Sequence, residues 1–228
     1  MLRENQLSQR KRSTQKLTQL QESYRRINSS LSKIERKLLI ALKRFYNKYI
    51  RNSINPVEIT RQQRGGYIYE LLKETVRKAL FVNAGVSFVL TKEITQNIFN
   101  LINQNYEQFW KTVSRLRLRE DELKTVQSEQ IVEPATIPEK VYKPELDVEA
   151  SLIGFTAYSV FLAFNTGVLF ATLDSPNREQ VTFMTVGDKK VDKKMCRPLH
   201  GRTFYADDPL LPKPPLHVHC RCMLLPSI

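Results

Sequence analysis

All three cysteines and all three histidines of this chain fall in its last 33 residues: Cys196, His200, His217, His219, Cys220 and Cys222. Thiolate and imidazole are the ligands zinc prefers, four to a tetrahedral site, usually as two close pairs joined by a loop. Cys196 and His200 make one close pair; Cys220, Cys222 and one of the neighbouring histidines supply the other. A single structural zinc bound in this way would fold a segment too short and too rich in proline to build its own core. The C-x-C spacing is narrower than the C-x-x-C of a zinc ribbon, so two other readings stand beside metal. One is a cluster of packed thiols and hydrogen-bonded imidazoles. The other is a redox or catalytic Cys/His arrangement. An odd number of cysteines confined to one end does not suit a secreted disulfide framework.

A second chemistry is carried by charge. The 228 residues have a net charge of +13, and residues 1–50 hold 13 lysines and arginines against three glutamates, a local charge of +10. A field of that size attracts polyanions, of which nucleic acid is the usual one. An acidic protein partner and a solvated helix face are the alternatives. The cations in question are Arg25, Arg26, Lys33, Arg36, Lys37, Lys43, Arg44 and Lys48.

The elements that must position these groups follow from periodicity. Leu17, Leu20, Tyr24, Ile27, Leu31, Ile34, Leu38, Leu42, Phe45 and Tyr49 recur at steps of three and four, one stripe of a helix with the cations opposite. Ser13 or Thr14 is placed to cap its start, and the run up to Pro56 ends it. Such a helix is about 50 Å long and suits a bundle strut, an arm or a self-associating coiled coil. After Gly65-Gly66 a helix is predicted over about 67–80, and a third starts at Thr91 with Glu93 in its first turn. Residues 119–148 gather acids and prolines and read as a linker. A further helix over 149–173 is apolar but interrupted by Gly154, Thr156, Ser159, Asn165 and Gly167, which fits a buried helix rather than a membrane span. Gln180–Val186 alternates as a strand, turned by Gly187-Asp188. No secretory leader is recognisable in the polar N-terminal residues, which points to a cytoplasmic chain. The fold expected is α+β and mostly α: a basic helical domain over 1–118, the linker, and a small Cys/His-stapled module with irregular β structure over 149–228.

That last third resembles the phage Mu protein F-like, or minor head protein, family. The resemblance rests on Thr185-Val-Gly187-Asp188, Met195-Cys196, Leu199-His-Gly201-Arg-Thr-Phe204, Asp207-Asp-Pro209, Pro214-Pro215-Leu-His217 and Cys220-Arg221-Cys222. The His-x-x-Cys-Arg-Cys ending is its most specific part. Many relatives have two cysteines spaced C-x-x-C in the first segment, where this chain has Lys193 and Cys196. A four-cysteine site is therefore ruled out, and a metal here needs a histidine, His200 or His217. The resemblance implies a phage or prophage minor head protein associated with portal, capsid and scaffold proteins. It would sit inside the virion head or in the host cytoplasm during assembly, handling DNA without reading sequence.

Two other classes are weighed against this. A zinc-module nucleic-acid-binding regulator needs an exposed recognition helix beside its metal, and the tail offers loops and prolines. A metal-dependent nuclease or toxin-type enzyme needs an open metal position and a general base. The chain has no H-E-x-x-H, P-loop, G-x-S-x-G or dinucleotide fingerprint. The expectation is a protein that is not an enzyme.

Overall fold

The computed structural model describes residues 2–51, 67–80, 82, 96, 97, 100, 109, 113, 115, 116, 144–173, 180–186, 191–217 and 219–227. Three long helices come first: α1 (Leu2–Phe45), α2 (Tyr67–Leu80) and α3 (Pro144–Leu173). Three short strands follow: β1 (Gln180–Met184), β2 (Thr203–Tyr205) and β3 (Met223–Pro226). The result is α+β, a helical layer carrying a small antiparallel sheet of order β2-β1-β3.

The stripe on α1 is the organising feature. Leu20, Tyr24, Ile27, Leu31, Leu38, Leu42 and Phe45 are buried, and Leu17 and Ile34 are half-buried. Two details differ from the periodicity. The helix starts at Leu2, so Ser13 and Thr14 lie inside it; the intervening Arg, Lys, Glu and Gln are good helix formers and nothing interrupts them. At the other end the last turn widens into a π-turn, Tyr46–Ile50, closed by the Arg51 amide donating to the Tyr46 carbonyl at 2.9 Å. The extra residue rotates the stripe. Ile50 takes the buried position, and Tyr49 is left 39% exposed.

α2 occupies the range expected of it and packs Leu72, Val76 and Leu80 against α1 and α3. α3 has apolar residues around its whole circumference. It is long and apolar enough to cross a membrane, yet 83% of the window concerned is buried in the protein. α1 and α2 cover two sides and β1 and β3 a third. Ala157, Ala163 and Ala171, all buried, let these neighbours approach. α3 begins at Pro144, so the last five residues of the expected linker are helical, with proline in the first turn where its missing amide costs nothing. The Thr91 helix start, residues 119–143 and the Gly187-Asp188 turn lie outside the described residues; Phe109, which does not, stacks on Phe155 at 4.4 Å.

The sheet corrects the expectation of a tail too poor in apolar groups to hold itself. Val181, Phe183 and Met184 of β1 and Met223, Leu224 and Leu225 of β3 are all buried, in the same continuous core as α1, α2 and α3. Each such side chain contributes about 1.5–3 kcal/mol. β1 ends at Met184 rather than Val186, which is 38% exposed. Strands β2 and β3 were not legible in the sequence. Thr182 links all three strands, its hydroxyl meeting those of Thr203 at 3.2 Å and Ser227 at 3.0 Å.

The outer edge of β3 is closed by one side chain of α3. The Asn165 amide donates to the Cys222 carbonyl at 3.1 Å and to the Phe161 carbonyl at 2.8 Å, and its oxygen accepts from the Leu224 amide at 2.8 Å. Asn165 thus pairs with β3 as another strand would. Asn165→Ala leaves buried donors and acceptors without partners, and each costs about 1–3 kcal/mol. A loss of roughly 2–4 kcal/mol in urea unfolding is expected; a loss under about 0.5 kcal/mol would remove Asn165 from this role.

Candidate metal centre

The cysteine cluster is built from two turns facing one another. The first surrounds Cys196. The carboxylate of Asp192 accepts from the amides of Lys194 at 2.8 Å and Met195 at 2.6 Å, and the Asp192 carbonyl accepts from Cys196 and Arg197. These N–H groups hold the Asp192 carboxyl below the usual carboxylate range. A single 3-10 turn, Arg197–Leu199, then ends the segment. The second turn is His217–Cys220, closed by the Cys220 amide on the His217 carbonyl at 3.1 Å. His219 sits in it with φ at +64°, exposed to solvent. Histidine is among the side chains that tolerate this region.

Between these turns the Cys196 and Cys220 sulfurs are 3.8 Å apart, and the His217 Nε2 is 3.2 Å from the Cys196 Sγ. The three ligand atoms lie within 4.8 Å of one another, with both thiols buried and the imidazole half-buried. A tetrahedral zinc with sulfurs at 2.3 Å holds them about 3.8 Å apart. The two thiols are therefore at the spacing the ion requires, and the imidazole, close to the Cys196 sulfur, completes a trio with no ligand atom more than 4.8 Å from another. This trio has the donor types and the geometry to hold a metal ion.

Cys222 is buried alongside, outside this trio, and bears on the acidity of both other thiols. The hydrogen bond from Cys222 pulls the Cys220 thiol down to about 5. Sharing that proton, and then burial, pushes Cys222 upward. Burial, followed by the Cys220 charge, pushes Cys196 up to about 11. The thiols are thus pushed apart in acidity, Cys220 the readiest to ionise and Cys196 and Cys222 holding their protons more tightly.

His200, expected in the ligand set, is placed elsewhere. Its Nδ1 accepts from the Thr185 amide at 3.2 Å and lies 3.0 Å from the Thr185 hydroxyl. That bond fixes the ring at the end of β1, and burial lowers its basicity. Other residues singled out in the sequence also take structural posts. Thr185 is buried, Leu199 and Phe204 pack on the core, and Pro215 is half-buried. Gly201 has φ at +76°, a conformation glycine adopts without strain, and donates to the Phe183 carbonyl at 2.8 Å. Gly187 and Asp188 lie outside the described residues.

Arg221 is the residue whose role the sequence did not reveal. Its guanidinium reaches the Glu35 carboxylate of α1 through Nη2 at 2.6 Å and Nε at 3.2 Å, a two-pronged ion pair. The Glu35 side chain is 8% exposed and that of Arg221 33%. The Arg221 carbonyl accepts from the Tyr24 hydroxyl at 3.0 Å. Neither Glu35 nor Tyr24 was foreseen as part of the site. The signal for Glu35 was present: it stands four residues after Leu31 and three before Leu38, a carboxylate on the buried stripe.

The basic face lies across α1 from this junction. Arg25, Arg26, Lys33, Arg36, Lys37, Arg44 and Lys48 are exposed. Lys43 is not available in the same way, being half-buried and paired with Glu149 of α3. Lys37 lies near Glu74 of α2, and the Lys48 ammonium sits 4.9 Å above the Tyr49 ring. From Arg25 to Lys48 the only carboxylate in α1 is Glu35, which faces the core.

No protein-family model, curated protein or solved structure matches the chain.

Truncating either partner of the Glu35–Arg221 pair leaves a charge without its partner in a largely covered place. Because Arg221 is one-third exposed, the loss is expected at about 2 kcal/mol for Glu35→Gln or Arg221→Met, below the range of a fully buried pair. A double-mutant cycle should give a coupling of about 1–2 kcal/mol. Additive losses would show that the two side chains do not act together.

Proposed function

We propose that this chain is a minor head protein of a tailed phage or prophage. In this reading it associates with the portal and with capsid or scaffold proteins, and the exposed cations of α1 touch DNA without reading its sequence. The observation that carries the reading is the position of Arg221. In the Cys-Arg-Cys ending, the most specific part of the family resemblance, the arginine keys the tail to the long basic helix. The two features that suggested the function are thereby parts of one unit.

The reading is of a binding and assembly protein rather than an enzyme. The clustered sulfurs are buried, and Asp192 and His200 beside them are engaged in holding backbone. The metal is proposed as one structural zinc held by Cys196, His217 and Cys220, with Cys222, buried nearby, drawn in as the fourth donor. Its chemistry would be to cross-link the two turns and stabilise the folded tail.

Two measurements test the proposal. Replacing Arg25, Arg26, Lys33 and Arg36 by Gln removes up to four phosphate contacts. The slope of log affinity for duplex DNA against log salt should then flatten by about 3–4, equally for unrelated sequences. An unchanged slope would remove the helix from DNA contact. For the metal, purified protein should carry about one zinc per chain, and cobalt should give the charge-transfer absorption of thiolate ligation. Affinity should rise with pH, because binding displaces protons from Cys196 and Cys222, both held above the ordinary thiol value. In Cys220→Ser the cobalt band should be lost while helical circular dichroism persists, since the core of β1 and β3 is shared with the helices. A protein that folds fully and takes up no metal would leave the packed-thiol reading.

A further inference from the structure

The basic face of α1 is not uniform. Over Arg25–Arg36 its exposed residues are cationic and polar. Over its last three turns it changes character. Lys37, Ala41, Arg44 and Lys48 follow one another at steps of four, three and four, and so form a single ridge about 16 Å long. Beside that ridge Ile40 is 44% exposed and Tyr49 39% exposed. These two, with Ala41, Phe45 and Leu71 of α2, line a recess of about 470 Å³ whose rim carries Lys37, Arg44 and Lys48. The facing charges on α2 are largely spent internally: Glu74 pairs with Lys78, and Glu70 with Lys73 at 2.8 Å.

An apolar floor within a cationic rim is not what duplex DNA asks for. Phosphates need the cations but offer nothing to fill an apolar recess, and a duplex cannot push a base into it without unstacking. The two features together match a helix with leucine-type anchors on one face and carboxylates flanking them. The ridge length corresponds to three turns of such a helix, enough for two or three anchors and as many ion pairs.

We infer that the groove formed by the end of α1 and Leu71 of α2 docks an acidic amphipathic helix of a partner protein. The α1 surface is then divided lengthwise. Its middle serves polyanion contact and its C-terminal end holds a protein. The inference does not depend on the DNA reading, since it rests on the apolar floor that DNA leaves unused.

The test uses the full-length protein and a fluorescent 18-residue peptide with leucines at helical a and d positions and glutamates elsewhere. A scrambled peptide of the same composition and a 20-base-pair duplex are run in parallel. The amphipathic peptide should bind at least about tenfold more tightly than the scrambled one. Ile40→Ser should weaken peptide binding by about tenfold and leave duplex affinity unchanged, because it alters the apolar floor and no charge. Ile40 is exposed, so this variant should retain the parent's thermal midpoint. Equal binding of both peptides overturns the inference, as does an unaffected Ile40→Ser variant or absence of peptide binding up to about 100 µM. Displacement of bound peptide by a single-stranded oligonucleotide with equal sensitivity to Ile40→Ser would assign the recess to unstacked bases instead. If the duplex alone fails to bind, the DNA reading falls and the groove stands.

Discussion

The structure turns on a carboxylate that has no business among leucines. Glu35 sits on the buried stripe of α1, where an unpaired charge would cost several kcal/mol. The Arg221 guanidinium resolves this by reaching across from the tail with both prongs. The same residue gives its carbonyl to Tyr24, 11 positions earlier on α1. One residue thus grips the helix at two points, and that fixes both the place and the direction in which the tail lies. An apolar contact alone would tolerate sliding along the stripe; a two-pronged ion pair does not.

That grip has consequences on either side of Arg221. Its neighbours Cys220 and Cys222 are carried into the same narrow space, where they meet Cys196 and each other. Two residues further on, β3 enters the core between β1 and α3. Its outer edge is satisfied by Asn165, so the sheet presents no open edge there. Two of the cysteines, the arginine of the ion pair and the strand are consecutive along seven residues, 220–226. A change at one is felt by the others through the backbone rather than across a distance.

The far side of α1 follows a different logic. Nothing in the core requires Arg25, Arg26, Lys33 or Arg36, and their spacing is set only by remaining opposite the stripe. The fold leaves them as a charged strip because burying the other face consumes most of the apolar positions of the helix, Ile40 being left exposed. At the end of the helix the π-turn disturbs this division, turning Tyr49 outward and Ile50 inward. The mixed apolar and cationic groove runs along this end of the helix, with Ile40 and Ala41 before the π-turn and Lys48 and Tyr49 within it.

Much of the helical layer could be read from residue types. The three-four spacing from Leu17 to Phe45 demanded a helix with one buried face, α2 was bounded correctly, and the small-residue segment ending at Leu173 was recognisably a core helix. Local rules suffice there because helical hydrogen bonds and faces depend on near neighbours. The crowding of Cys and His into the tail was also visible. Composition could not say which imidazole joins the thiols. His200 is four residues from Cys196 and His217 is 21 away, yet it is His217 that approaches the sulfur, while Thr185 takes His200. Strands β2 and β3 are too short for alternation to register. Their partners lie some 20 to 45 residues away in the chain. The roles of Glu35, Tyr24 and Asn165 exist only once α1, α3 and the tail are in contact. Proximity across the fold is a property of packing, and no spacing along the chain encodes it.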